Sequence, residues 1–274
     1  MKKIYGFITI ILCFILVGCG SKKKDNKQEL YFDDTGIAET THIVFTTEAS
    51  YELTDVFKVG TRRSAYNDKK IGETKYEDVI FYITTSFATS ERPQESDEAK
   101  IEGTKLIRKE YGTAVVYAAL KDDSNPEEPN RGLHCVSITF TDKSVYGTWE
   151  AENDYLDIWI ESHKNDGETD AKKATMTFEL KEDLTFTYTI TEGYWSDLGY
   201  DSKVEAQTVT GTIGWDSGGL NRRDTGGEYY VSLIFFEDSD GKVVLQTGYR
   251  KSLDSNSSKS VNFYKVDDTQ NNAQ

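Results

Sequence analysis

Few side chains in this 274-residue chain are spaced for chemistry, and the thiol with the most specific setting is Cys19. It follows Leu16-Val17-Gly18 at the end of an apolar run from Ile4 to Val17, which Lys2 and Lys3 precede. Basic residues, an apolar run and a small residue in that order read as an export segment that is cut away. The run is shorter than the ~20 residues of a spanning helix. Other candidates offer less. His42, His134 and His163 are too scattered for a zinc site, which needs at least about three convergent ligands. Asp238 and Asp240 before Gly241 match part of a calcium loop, but Phe236 holds the first acidic position and no glutamate follows, so the segment reads as a turn. His134 and Cys135 are neighbours on a strand and point to opposite faces, which rules out a direct thiolate pair. Asp157 and Glu161 share a strand face with Tyr155 and Trp159, and read as a solvated face rather than as a glycosidase pair. No enzyme, cofactor or metal site is expected.

The stretch Leu16-Val17-Gly18-Cys19 resembles the lipobox of bacterial lipoproteins. That resemblance implies cleavage before Cys19, acylation of its sulfur and new amino group by chains such as palmitate, and a membrane-anchored place in the bacterial cell envelope. The outer membrane or cell surface is favoured over the inner membrane. Residues 1–18 are then the signal peptide and 19–40 a flexible tether, in which Lys22, Lys23 and Lys24 each add about 1 kcal/mol of attraction to anionic headgroups. Removing Lys2 and Lys3 takes the net charge from −15 to −17. Such an acidic chain repels nucleic acid, which is excluded as a partner. Cys13 leaves with the signal peptide and Cys19 carries lipid, so Cys135 is alone and no intramolecular disulfide can form.

The elements that must position everything else are strands. Apolar and polar residues alternate through Thr175–Leu180 and Leu184–Ile190 around the turn Lys181-Glu182-Asp183, a hairpin with Met176, Phe178, Leu180, Leu184, Phe186, Tyr188 and Ile190 inward. Further strands are expected at about 145–149, 155–161, 204–215, 228–237, 242–250 and 260–266, eight in all in this half. The first half carries weaker patterns at about 43–47, 52–58, 79–85, 105–108, 113–120 and 134–140. The expected fold is all-β. Residues 41–143 form an immunoglobulin-like β-sandwich, 144–266 an up-and-down antiparallel β-barrel, and 267–274 a disordered tail.

Gly147-Thr148-Trp149 at the first strand of the second half resembles the Gly-x-Trp signature of lipocalins. The resemblance implies that Trp149 plugs one end of the barrel and that a cation of the last strand, here Lys265, covers it. Phe57-Lys58-Val59-Gly60, together with Tyr111–Tyr117 before a last strand at His134–Phe140, is similar to bacterial immunoglobulin-like domains, which implies a spacer or adhesive module.

With Trp149 at the closed end, loops 151–154, 181–183, 216–227 and 251–259 would surround an open mouth. Arg222, Arg223 and Arg250 would form a basic rim there, with Lys251 and Lys259 nearby. Phe186, Tyr188, Leu233 and Phe235 would line the lumen. This arrangement would bind a small apolar or amphiphilic ligand with an anionic head, non-covalently. The alternative is a filled barrel serving as an adhesion, protein-interaction or structural lipoprotein, whose exposed loops at 191–203 or 121–132 contact a protein partner. The loop around Trp195 is expected to fold back over the barrel end.

Overall fold

Strand β10 (Gly112–Leu120) is the organising element of the first half, because its sequence is apolar at successive positions and both of its faces are covered. In this computed structural model the described residues are 30–84, 92–122, 134–141, 143–153, 172–195, 203–216, 219–225, 230–249 and 259–266. β10 lies between β7 (Val79–Ile83) and β11 (His134–Phe140), and β11 also pairs in parallel with β2 (Ile43–Thr46). A three-stranded sheet has the order β3 (Ser50–Glu52), β9 (Lys105–Arg108), β8 (Ala99–Glu102). Two ribbons complete this half: β1 (Ile37–Glu39) with β4 (Phe57–Val59), and β5 (Thr61–Arg63) with β6 (Lys70–Glu73). Phe57, Phe81, Ile101, Leu106, Val116, Ile138 and Phe140, drawn from several of these sheets, share one core. The arrangement is compatible with an immunoglobulin-like sandwich.

The second half is a closed antiparallel barrel of eight strands: β12 (Gly147–Ala151), β13 (Met176–Leu180), β14 (Thr185–Ile190), β17 (Gln207–Asp216), β18 (Gly219–Asp224), β19 (Tyr230–Glu237), β20 (Val243–Tyr249) and β21 (Lys259–Lys265). A short ribbon, β15 (Gly193–Tyr194) with β16 (Lys203–Val204), interrupts the path from β14 to β17. Each barrel strand pairs with the next, and β21 returns to β12 with Trp149 opposite Lys265. The hairpin β13–β14 has the expected alternation, with Met176, Phe178, Leu180, Phe186, Tyr188 and Ile190 buried. Closure removes both sheet edges, so the barrel needs no covering element to protect unpaired backbone.

In the first half β1, β5, β6 and β8 lie where no strand was expected and the run expected at 52–58 is divided between β3 and β4; in the barrel the strand list differs at two places. The ring closes without residues 155–161, which lie outside the described residues, and it includes β18, which the sequence reading placed in a loop. That strand escaped notice because two of its three inward residues, Leu220, Arg222 and Asp224, are charged. The absence of 155–161 from the ring exchanges the poles of the loops on either side of β14. Residues 181–184 lie at the Trp149 pole, and 191–206 lie at the other.

Phe32–Gln274 forms one compact unit. Within it the sandwich packs on the barrel: Phe45 of β2 meets Phe235 at 5.7 Å and Tyr146 at 6.1 Å, and Phe235 in turn meets Trp149 at 5.8 Å.

Candidate functional site

Trp149 is buried at its pole, and its indole N–H donates to the Val145 carbonyl at 2.9 Å. Lys265 Nζ stands 5.2 Å from the ring and also donates to the Tyr146 carbonyl. The ammonium over the aromatic face and the anchored N–H fix the indole as a plug. Gly147 makes room for this arrangement. Its φ is +113°, and a Cβ there would stand 2.8 Å from Lys265 Nζ.

The expected lumen residues Phe186, Tyr188, Leu233 and Phe235 all point inward and are buried. They touch other side chains: Phe178 stacks on Phe186 at 5.1 Å, and Tyr188 meets Phe263 edge-on at 5.7 Å. Arg222 is not on a rim. It is 1% exposed inside the barrel, with its guanidinium 4.8 Å from the Tyr188 ring and 5.8 Å from Phe186, and with Nε 3.3 Å from Asp224 Oδ1. A guanidinium out of water needs such a partner, and Asp224 neutralises it within the same strand. Gly211 admits this packing, since a Cβ there would lie 2.7 Å from the Phe186 ring and 2.0 Å from the Arg223 carbonyl. Arg223, the next residue, is exposed on the outside, as alternation requires. Arg250 and Lys251 lie outside the described residues, and Lys259 is exposed at the start of β21. The described cations therefore do not converge on a mouth.

At the other pole Trp195 is 2% exposed and belongs to the barrel core. Asn153 ties the surrounding segments together, donating through Nδ2 to the Ala174 carbonyl at 2.9 Å and the Tyr194 carbonyl at 2.8 Å.

The sequence reading missed a cleft of about 490 Å³ between the two halves. Its walls are the outer face of β10, through Val115 and Tyr117, the segment Ser232–Phe236 of β19, Gly219 and Leu220 at the start of β18, and Trp215 at the end of β17. Tyr117 stacks on Tyr82 at 5.4 Å, and Trp215 packs against that cluster. Asp97, Glu98 and Glu110 line one side, no lysine or arginine among the described residues lines it, and Glu98 accepts a hydrogen bond from Ser96 Oγ at 2.8 Å. The sequence does carry one signal for it. A strand such as Gly112–Leu120, apolar on both faces, must have something covering its second face.

A separate polar cluster surrounds His134 at the start of β11. Its Nδ1 lies 3.0 Å from Glu39 Oε2, and its Nε2 lies 3.4 Å from Asp33 Oδ2 and 3.0 Å from Thr35 Oγ1. Burial works against the imidazolium, but hydrogen bonds to Asp33 and Glu39 outweigh it and hold the pKa up at about 9. Burial likewise opposes ionisation of both carboxylates, and their hydrogen bonds to His134 outweigh it and hold them below the usual carboxylate range. The charged triad binds β1 to β11. Cys135 faces the other way, toward Tyr117, and burial, then the Glu39 charge, pushes its thiol up. That disfavours the nucleophilic thiolate.

Among the described residues no three His, Cys, Asp or Glu side chains are placed to hold a metal ion. Asp238 acts as a turn residue, its Oδ1 accepting from the backbone N–H groups of Asp240 and Lys242 at 2.9 Å each. Cys19, His163, Asp157 and Glu161, with all of residues 1–29 and 267–274, lie outside the described residues. Compared with protein-family models, with curated protein sequences and with solved structures, the chain gives no significant match to any of the three.

Proposed function

We propose that this protein is a lipid-anchored component of the bacterial cell envelope that recognises a small amphiphilic molecule without covalent chemistry, in the cleft between its sandwich and its barrel. The cleft carries this reading. Its volume of about 490 Å³ falls in the roughly 300–1,000 Å³ range of small-molecule sites. The inward side chains of the barrel, by contrast, are in contact with one another. The barrel in this reading is a rigid wall, and the lining of the cleft sets the ligand's chemistry. Trp215 and Tyr117 supply apolar surface for a ring or chain, and Asp97, Glu98 and Glu110 favour a cationic or hydrogen-bond-donating head. That is the opposite sign to the headgroup a rim of Arg222, Arg223 and Arg250 would select. The anchor rests on Leu16-Val17-Gly18-Cys19.

Native mass spectrometry of protein purified from its own cells tests the proposal. A retained small molecule is expected to persist when Arg222→Met and Asp224→Leu replace the internal ion pair together, and to be lost with Trp215→Ala. A ligand-free protein would overturn the proposal. So would a ligand that survives Trp215→Ala and is lost with the internal pair.

A further inference from the structure

The ribbon β5–β6 is unlike the rest of the surface. It pairs with no other sheet, and its strand residues are at most half-buried. Between residues 61 and 75 it carries Arg62, Arg63, Lys69, Lys70 and Lys75 against Asp68 and Glu73, a local excess of positive charge in a chain of net charge −15. Its ion pairs, Arg63–Asp68 at 3.6 Å, Lys70–Glu73 at 2.5 Å and Lys75–Glu77 at 3.5 Å, are exposed and so contribute little. Tyr66 at its tip is 91% exposed and Ile71 is 53% exposed, two of the few large apolar side chains in that state among the described residues. An isolated two-stranded ribbon is marginal in water, so something must fix its base.

The base is fixed to the segment where the tether joins the folded unit. Arg63 N–H donates to the Asp33 carbonyl at 2.8 Å, Gly60 N–H to the Gly36 carbonyl at 2.9 Å, and Thr74 Oγ1 to the Thr35 carbonyl at 2.6 Å. Arg62 Nε reaches the Asp34 carbonyl at 2.7 Å, and the Phe32 ring lies directly against Gly60. The tether from Cys19 to Phe32 spans at most about 45 Å when fully extended. A bilayer holding Cys19 is therefore always within reach of this end of the molecule.

We propose that the ribbon is a second membrane contact, in which Tyr66 and Ile71 enter the headgroup boundary of an anionic bilayer and Arg63, Lys69 and Lys70 meet lipid phosphates. The inference takes the Cys19 anchor as given, because a bilayer already held nearby turns the weak affinity of so small a surface into high occupancy. The acidic remainder of the protein does not prevent it, since charges more than about 8–10 Å away are largely screened at ordinary ionic strength.

The test uses the chain from Cys19 to Gln274 made without acyl groups, with Lys22→Gln, Lys23→Gln and Lys24→Gln so that the tether adds no basic attraction. This protein is expected to float with vesicles of equimolar phosphatidylglycerol and phosphatidylcholine at an ionic strength of about 0.15 M, where its acidic remainder is screened, and not with phosphatidylcholine alone. Lys69→Glu with Lys70→Glu should weaken that binding at least about tenfold, at roughly 1 kcal/mol per charge near the surface, and Tyr66→Ser by about threefold, with the circular dichroism spectrum and Tm unchanged. Absence of flotation with the anionic vesicles, or flotation indifferent to the lysine reversals, overturns the proposal. Acyl labelling in cells addresses the anchor separately: label that persists in Cys19→Ala removes the anchor and leaves the vesicle result standing.

Discussion

The barrel and the sandwich hide their strands differently. In the barrel each strand turns one face to the core and the other to water, so β13 and β14 alternate between buried Phe, Tyr, Leu or Ile and outward Thr. In the sandwich, β10 buries nearly every residue, because one face meets the sandwich core and the other lies under Trp215 and beside Tyr82. The barrel is thus complete in itself, while the sandwich has a second apolar face that the barrel covers only in part. The cleft is the uncovered part.

Three substitutions bear on this comparison, in decreasing order of effect, with Arg223→Ala as the outward control for the second. Trp149→Ala removes the plug from a closed core and should cost about 3–5 kcal/mol, as large core truncations do; thermal and denaturant unfolding would measure it, and an unchanged Tm would mean that the pole is not a sealed core. Arg222→Met leaves Asp224 buried without its guanidinium and should cost about 3 kcal/mol, whereas adding Asp224→Leu should recover most of that loss. Arg223→Ala, one residue away and outside, should stay within about 0.5 kcal/mol. Equal losses at positions 222 and 223 in denaturant titrations would contradict the inward and outward assignment.

The third substitution, His134→Gln, probes the sandwich and should cost about 2 kcal/mol at neutral pH. The folded pKa of His134 is raised to about 9, so its contribution is full below the ordinary imidazole pKa of about 6.5 and is lost as pH rises through about 9. Asp33 and Glu39 have lowered folded pKa values, so their contributions hold above the ordinary carboxylate range and are lost as pH falls through those lowered values. Wild type and His134→Gln should therefore differ most between weakly acidic and neutral pH and converge above about pH 9. A difference that does not change with pH would show that His134 contributes packing alone.

What the sequence made legible follows the same division. Strict alternation marked the hairpin Thr175–Ile190, and Gly147 and Trp149 marked the strand whose backbone must pass beside the last one, because Lys265 crosses there. β18 was illegible because Arg222 and Asp224 neutralise each other inside the barrel, and periodicity of hydrophobicity does not register an internal ion pair. The strand expected at 155–161, which the ring does not include, is what placed loop 181–183 at the wrong pole. The lining of the cleft could not be read, since Tyr117, Glu98 and Trp215 come from distant segments that meet only when the halves pack. The double-sided apolarity of β10 was visible and marked a covered face without naming the cover.

The most direct measurement of where recognition occurs uses the four tryptophans of the chain as reporters. With the indole nitrogens labelled, the small molecule released from protein purified from its own cells is titrated back while the indole N–H resonances are followed. The account predicts that the Trp215 resonance shifts with saturation while those of Trp149 and Trp195 stay in place. Shifts at Trp149 or Trp195 with Trp215 unmoved would locate the ligand inside the barrel and contradict it.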